Sequence, residues 1–140
     1  MSVRVSEIVS LEDRQLAYDI RRIVFCDEQG VSREEEFDGL DDICRHYLVS
    51  VDALGVGTAR TRVLEAGEIK IERVAVLRAY RGLGLGSALM RRVMEEAGTA
   101  PMVLNAQFRT KSFYKALGFS AVGDIFDEAG IEHVRMIRNR

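Results

Sequence analysis

Apolar positions along the chain change their period several times, and each change marks an element. Val3-Arg4-Val5-Ser6 alternates apolar and polar side chains and predicts a first strand. Ser10 is a helix N-cap with Asp13 at the capping-box position. Behind it, Leu16, Ile20, Ile23 and Val24 fall on one face of a helix running to Gln29-Gly30. The polar segment 32–45 predicts loop or a short helix. Over 46–53 the chain turns Tyr47, Val49 and Val51 inward, the pattern of a strand with one face in water, and 56–64 is its hairpin partner after Gly55. A third strand, 68–77, breaks its own rule. Ile69 and Ile71 share one parity, Val74 and Val76 the other, so either a bulge lies within 72–75 or both faces are buried.

A glycine-rich segment, Arg81-Gly82-Leu83-Gly84-Leu85-Gly86-Ser87, separates that strand from an amphipathic run over 88–97. The run carries Leu89, Met90, Val93, Met94 and Ala97 at helical spacing. Beyond Pro101, Met102-Val103-Leu104-Asn105-Ala106 predicts a short buried strand. Thr110 caps a helix through Leu117 that Gly118 stops. The segments 120–126 and 132–137 form a hairpin around Asp127-Glu128-Ala129-Gly130. Helices alternate with strands in a pattern that predicts an α/β fold on a mixed sheet, and 140 residues, 47% of them hydrophobic, suit a single domain over the whole chain.

Composition excludes several classes of function. A net charge of −2 and a pI near 5.8 provide no basic field for nucleic acid. No apolar run approaches membrane-spanning length. Cys26 and Cys44 match neither a CxxC nor a metal spacing, and with His46 and His133 far apart no metal site is expected. No signal peptide is visible, so free thiols and a cytoplasmic location are expected. The charge is uneven, however. Acids crowd 34–42, whereas Arg78, Arg81, Arg91, Arg92, Arg109 and Lys111 surround the glycine turn and the segments C-terminal to it. A basic rim suits a multiply phosphorylated ligand.

A glycine turn between strand and helix leaves backbone N–H groups free at the positive end of the helix, a site for phosphate or pyrophosphate. A P-loop requires a lysine that is absent here. A dinucleotide turn requires a third glycine and a downstream acid, where this chain has Leu89 and Leu104. The remaining pattern is Arg or Gln, two residues, Gly, one residue, Gly or Ala, and Arg81, Gly84 and Gly86 meet it.

That pattern resembles the pyrophosphate motif of the GNAT N-acetyltransferases. Arg73-Val74-Ala75-Val76 looks like that family's fourth strand, and Phe113-Tyr114-Lys115-Ala116-Leu117-Gly118-Phe119 like its FYxxxGF segment. Arg22-Ile23-Val24-Phe25 with Glu28-Gln29-Gly30-Val31, then Gly130-Ile131-Glu132-His133 and Met136, resemble the small bacterial ElaA/YjcF-like branch. Together they span essentially the whole chain. The resemblance implies a mostly antiparallel sheet with a splayed central strand pair flanked by helices. It also implies acetyl transfer from acetyl-CoA to the amine of a small molecule or peptide, by direct attack, with a homodimer as a common assembly.

By that resemblance, backbone groups of Val74, Ala75 and Val76 contact pantetheine, and those of Arg81, Gly82, Leu83, Gly84, Leu85, Gly86 and Ser87 hold the pyrophosphate. Asn105 and Phe113 complete the cofactor site, although Asn105 equally caps local backbone and Phe113 equally packs in the core. Tyr114 is the acid that protonates the departing thiolate, with packing in the core beside Phe113 as its other reading. For the base, Glu72 sits where the strand parity breaks, with a surface ion pair to Arg73 or Lys70 as its other reading. His133 either faces the acceptor or is structural. Glu28 and Gln107 are the acceptor-binding candidates, Glu28 alternatively ending a helix. If the acids of 34–42 line the pocket, they favour a cationic amine. A Cys26 acyl relay is disfavoured by the lack of a neighbouring histidine. Two other readings remain: a non-catalytic acyl-CoA-binding domain and a nicotinamide-binding module.

Overall fold

The computed structural model describes residues 1–139. Seven strands form one sheet: β1 (Val3–Glu7), β2 (Arg45–Val51), β3 (Leu54–Val63), β4 (Ile69–Val76), β5 (Met102–Gln107), β6 (Ser120–Glu128) and β7 (Ile131–Arg138). Their order is β1-β2-β3-β4-β5-β7-β6. All neighbours are antiparallel except β4 and β5. The α-helices are α1 (Leu11–Arg21), α2 (Arg33–Glu36), α3 (Leu85–Ala97) and α4 (Lys111–Ala116). The mixed, mostly antiparallel sheet flanked by helices is the expected fold.

One face carries the larger core, in which Leu89, Met90 and Val93 of α3 and Tyr114 of α4 meet Tyr47, Val49, Ile71, Leu104 and Met136. A smaller cluster on the other face joins Ile20, Val24, Leu48 and Ala75. This second layer corrects the expectation for β2. It is covered on both faces, by α3 and α1, because it lies inside the sheet and not at a wetted edge. Strand β2 also stops at Val51, since Asp52 and Ala53 both adopt positive φ in the turn to β3.

The first helix is capped as predicted, with Ser10 Oγ accepting from Asp13 N at 3.1 Å. Its buried face differs. Leu16 is 39% exposed, and the inward residues are Ala17, Ile20, Arg21 and Val24. Position 21 falls on the same arc as 17, 20 and 24, and its charge is tolerated there because carboxylates meet it. From Arg22 to Glu28 the helix widens to π geometry, a local change that apolar spacing does not encode.

The parity break in β4 is a bulge. Thr58 pairs with Ala75, but Arg60 pairs with Glu72, so Arg73 and Val74 together oppose Ala59. Arg73 takes φ +58°. The extra residue brings Ile69, Ile71, Val74 and Val76 onto the larger core and turns Ala75 to the smaller one.

Candidate active site

Strands β4 and β5 pair only at Ile69↔Met102, Lys70↔Val103 and Ile71↔Leu104. Beyond that point they diverge, and β4 from Glu72 onward has a strand neighbour only in β3. The divergence opens a cleft of about 750 Å³ lined by Ile71–Val76, Leu104–Gln107, Tyr114, Arg81 and His133, among others. Unpaired strand backbone in a cleft is suited to an extended ligand that adds as a further strand. The chain then enters a 3₁₀ turn at Arg78–Tyr80 and the glycine segment.

Helix α3 starts at Leu85, three residues before the apolar run begins. Gly82 and Gly84 hold φ +80° and +79°, the conformation that lets the turn reverse into the helix without a Cβ penalty. The first helical bond runs from Ala88 N to Gly84 O at 3.1 Å. The amides of Leu85, Gly86 and Ser87 therefore point out of the helix end. Gly86 serves a different need, because a Cβ there lies 3.3 Å from Phe113 Cζ. Phe113 packs beneath this first turn and against Tyr114 at 4.9 Å between ring centroids; it does not line the cleft.

Arg81 is a strut. Its Nε donates to Val76 O at 2.9 Å, and its Nη2 reaches the Glu28 carboxylate at 3.0 and 3.1 Å. Arg78 approaches the same carboxylate at 3.5 Å. Glu28, expected to face an acceptor, is thus committed to the glycine turn and lies outside the cleft lining. Cys26 also lies outside it, and burial pushes its thiol up.

Tyr114 is 9% exposed and lines the cleft. Burial raises its pKa above the usual tyrosine value, so the phenol keeps its proton. Thr110 is the N-cap residue of α4, but its hydroxyl makes no capping bond to the helix and donates instead to Gln107 O at 2.8 Å. Gln107 spans the cleft mouth, donating to Gln29 Oε1 at 2.7 Å and accepting from Arg109 Nε at 3.1 Å. Asn105 lines the same wall, its amide 3.5 Å from Glu128. His133 Nδ1 lies 2.7 Å from Ile131 O, and a carbonyl only accepts, so the proton sits on Nδ1. Nε2, 3.5 Å from Glu128, is left with its lone pair when the ring is neutral. The ring stacks on Phe126.

Glu72 lines the cleft but is saturated by cations, at 2.8 Å from Arg62, 3.1 Å from Arg60 and 3.4 Å from Lys70. Burial raises its pKa, but the Arg62 hydrogen bond and the Arg60 and Lys70 charges prevail and the net shift is downward. Of the two expected partners, Lys70 is among these cations and Arg73 is not.

Arg73 belongs to a network that periodicity did not reveal. Arg21 and Arg60, both 0% exposed, anchor it. Arg21 meets Glu36 and Asp41 at 2.8 Å each, and Arg60 meets Asp38 at 2.7 Å and Asp41 at 2.9 Å. Arg73 meets Glu36 at 3.0 Å and Asp38 at 3.3 Å and donates to Glu36 O at 3.1 Å. The Arg21 guanidinium also lies 5.0 Å from the Phe37 ring centroid. The positive-φ bulge is thereby tied to the segment that walls the cleft. The acids of 34–42 do reach the cleft, through Glu35, Glu36 and Asp38, but Glu36 and Asp38 are already paired. The overlooked signal was Arg21 on the apolar arc of the first helix.

A sheet split beside outward-pointing amides at a helix end, with a buried tyrosine in the split, suits an extended ligand that carries phosphate. Residues 28–139 match the acetyltransferase (GNAT) domain family, and the chain belongs to it. The uncharacterized N-acetyltransferase YjcF of Bacillus subtilis is 33% identical over 138 residues, which cover 94% of this chain and 98% of YjcF. The crystal structure of Escherichia coli ElaA superposes with a TM-score of 0.87 at 27% identity, covering 99% of this chain and 100% of ElaA. An acyl-CoA N-acyltransferase from Pseudomonas aeruginosa gives 0.88 at 29%, covering 98% and 99%. The chain is a GNAT-type acyltransferase. Among the described residues, no helix is long and apolar enough to cross a membrane.

Proposed function

We propose that the protein moves an acetyl group from acetyl-CoA to a primary amine by direct attack. The observation that carries this reading is the divergence of β4 from β5 beside the outward amides of the glycine turn. Pyrophosphate sits on the amides of Gly82–Ser87, where dipole and free N–H groups favour an anion. Pantetheine lies along Val74, Ala75 and Val76, with Asn105 on the opposite bank. A β4 amide at the bulge then polarises the thioester carbonyl.

The amine lone pair forms the C–N bond, the C–S bond breaks, and its electron pair leaves on sulfur. The proton lost by nitrogen balances the one gained by the thiolate. Tyr114, held protonated by its burial, donates a hydrogen bond to the departing sulfur and passes it a proton. His133 Nε2 takes the proton from the amine. Of the two base candidates it is the better placed, because Glu72 is stabilised as an anion by three cations and has little affinity for a proton.

Calorimetric titration with acetyl-CoA, with NADH as control, tests the reading. Saturable micromolar binding of acetyl-CoA alone, followed by thiol release with an amine, is the expected result. A folded protein that binds neither would overturn it.

A further inference from the structure

Of the acids that the sequence offered to a cationic acceptor, Glu36 and Asp38 are consumed by ion pairs, and the network that holds them carries an excess of positive charge. Four carboxylates of the network (Glu36, Asp38, Asp41 and Glu72) face five cations (Arg21, Arg60, Arg62, Lys70 and Arg73), an excess of one. Its location is set by the partners. Arg21, Arg60 and Arg73 each meet at least two carboxylates. Arg62 and Lys70 share one, Glu72, and Arg60 draws on that one as well.

Arg62 and Lys70 are also direct cross-strand partners in the β3–β4 pairing. Like charges in that relation repel unless an anion lies between them. Both side chains line the cleft, at 24% and 21% exposed. Both also have donors to spare. Arg62 spends Nε on Glu72, which leaves its two terminal nitrogens, and the Lys70 ammonium has three protons for one partner.

We propose that Arg62 and Lys70 form an anion subsite of the acceptor pocket, and that the acceptor amine also carries a carboxylate. This rests on the acyl-transfer reading above. Lys70 precedes the bulge at Arg73 by three residues, about 10 Å of strand. The carboxylate therefore binds several ångströms from the attacking nitrogen, as in an amino acid with a side-chain amine. A polyamine brings a second cation to this wall and is repelled. The subsite selects the acceptor and takes no part in bond making.

The test uses acceptor pairs that differ only in the carboxylate: lysine against cadaverine, and ornithine against putrescine. With acetyl-CoA and thiol-release detection, the carboxylate member is expected to have a kcat/KM at least about tenfold higher, the order of one charge-assisted pair. In Arg62→Gln and Lys70→Gln that preference falls toward unity through KM, while the KM for acetyl-CoA is unchanged. Arg60 still holds Glu72 in both variants, and circular dichroism checks their folding. Thermal shift with lysine or cadaverine provides a readout independent of turnover. A rise given by lysine and not cadaverine, lost in both variants, supports the subsite. Equal or greater preference for the diamines, or a carboxylate preference that survives both substitutions, overturns it. Loss of acetyl-CoA binding in the wild type is a different failure and strikes the acyl-transfer reading itself.

Discussion

Arg73 joins backbone conformation to electrostatics. A non-glycine residue at positive φ costs about 1–2 kcal/mol, and here the cost is offset by ion pairs to Glu36 and Asp38 and a hydrogen bond to Glu36 O. Two substitutions separate the effects. Arg73→Ala keeps the strain and loses the anchor, so kcat/KM is expected to fall tenfold or more, by roughly 1.4 kcal/mol or above. Arg73→Gly loses the anchor but tolerates the angle, and is expected to fall less; the opposite order would show that the bulge does not depend on this lock. At Tyr114, replacement by Phe removes the proton and preserves the ring packing against Phe113 and Phe119. Turnover should drop by about 100-fold with acetyl-CoA affinity retained, and unchanged turnover removes Tyr114 from the reaction. Tyr114 and Gly84 were legible because motif spacing names them. Arg21 and Arg60 were not, since their partners lie 12–22 residues away and no local rule connects them.

Among the elements, the turn into α3 carries the sharpest expectation. Gly84 sits at φ +79° with open space where a Cβ points, so alanine there meets strain without a clash. Gly84→Ala is expected to weaken acetyl-CoA binding by about 1–2 kcal/mol, roughly tenfold in Kd, with little change in kcat at saturation. A Kd equal to wild type would show that the turn does not set the anion site. The bulge in β4 could be read from the chain because core burial demands one parity and the sequence switches it. The π segment and the double burial of β2 could not, because both depend on what packs against the element and not on its own pattern.

At the level of the molecule, the network makes stability depend on pH. His46 is buried, with Nε2 2.9 Å from Asp41 O and Nδ1 without a partner among the described residues. Burial lowers its pKa below 6.5, so the unfolded chain binds a proton that the folded one refuses. The stability it contributes is complete above pH 6.5 and is lost as pH falls below that value. Hydrogen bonding to Arg60 lowers the Asp38 pKa, and Asp41 and Glu72 are also held low by their arginine partners against the effect of burial. Their contribution is present above about pH 4 and disappears in more acid solution. Glu36 acts in the opposite sense, since burial raises its pKa. Urea unfolding of the wild type against His46→Gln isolates the histidine. Between pH 7 and 5.5 the wild type is expected to lose stability more steeply, by at most about 1.4 kcal/mol per pH unit for one proton. Parallel pH profiles would contradict this account of His46.

The sequence by itself determined the glycine turn between strand and helix, the bulge, the motif that carries Tyr114 and the family they imply, because each is written in short-range spacing that backbone geometry reads directly. Only the tertiary structure decided what the charges do. It paired the acidic segment 34–42 with arginines from the first helix, β3 and β4, committed Glu28 to the glycine turn, surrounded Glu72 with cations and left Arg62 and Lys70 sharing one carboxylate. Charge pairing acts through space over a few ångströms, between residues that chain order keeps far apart, and a carboxylate's role depends on which cation the fold sets beside it.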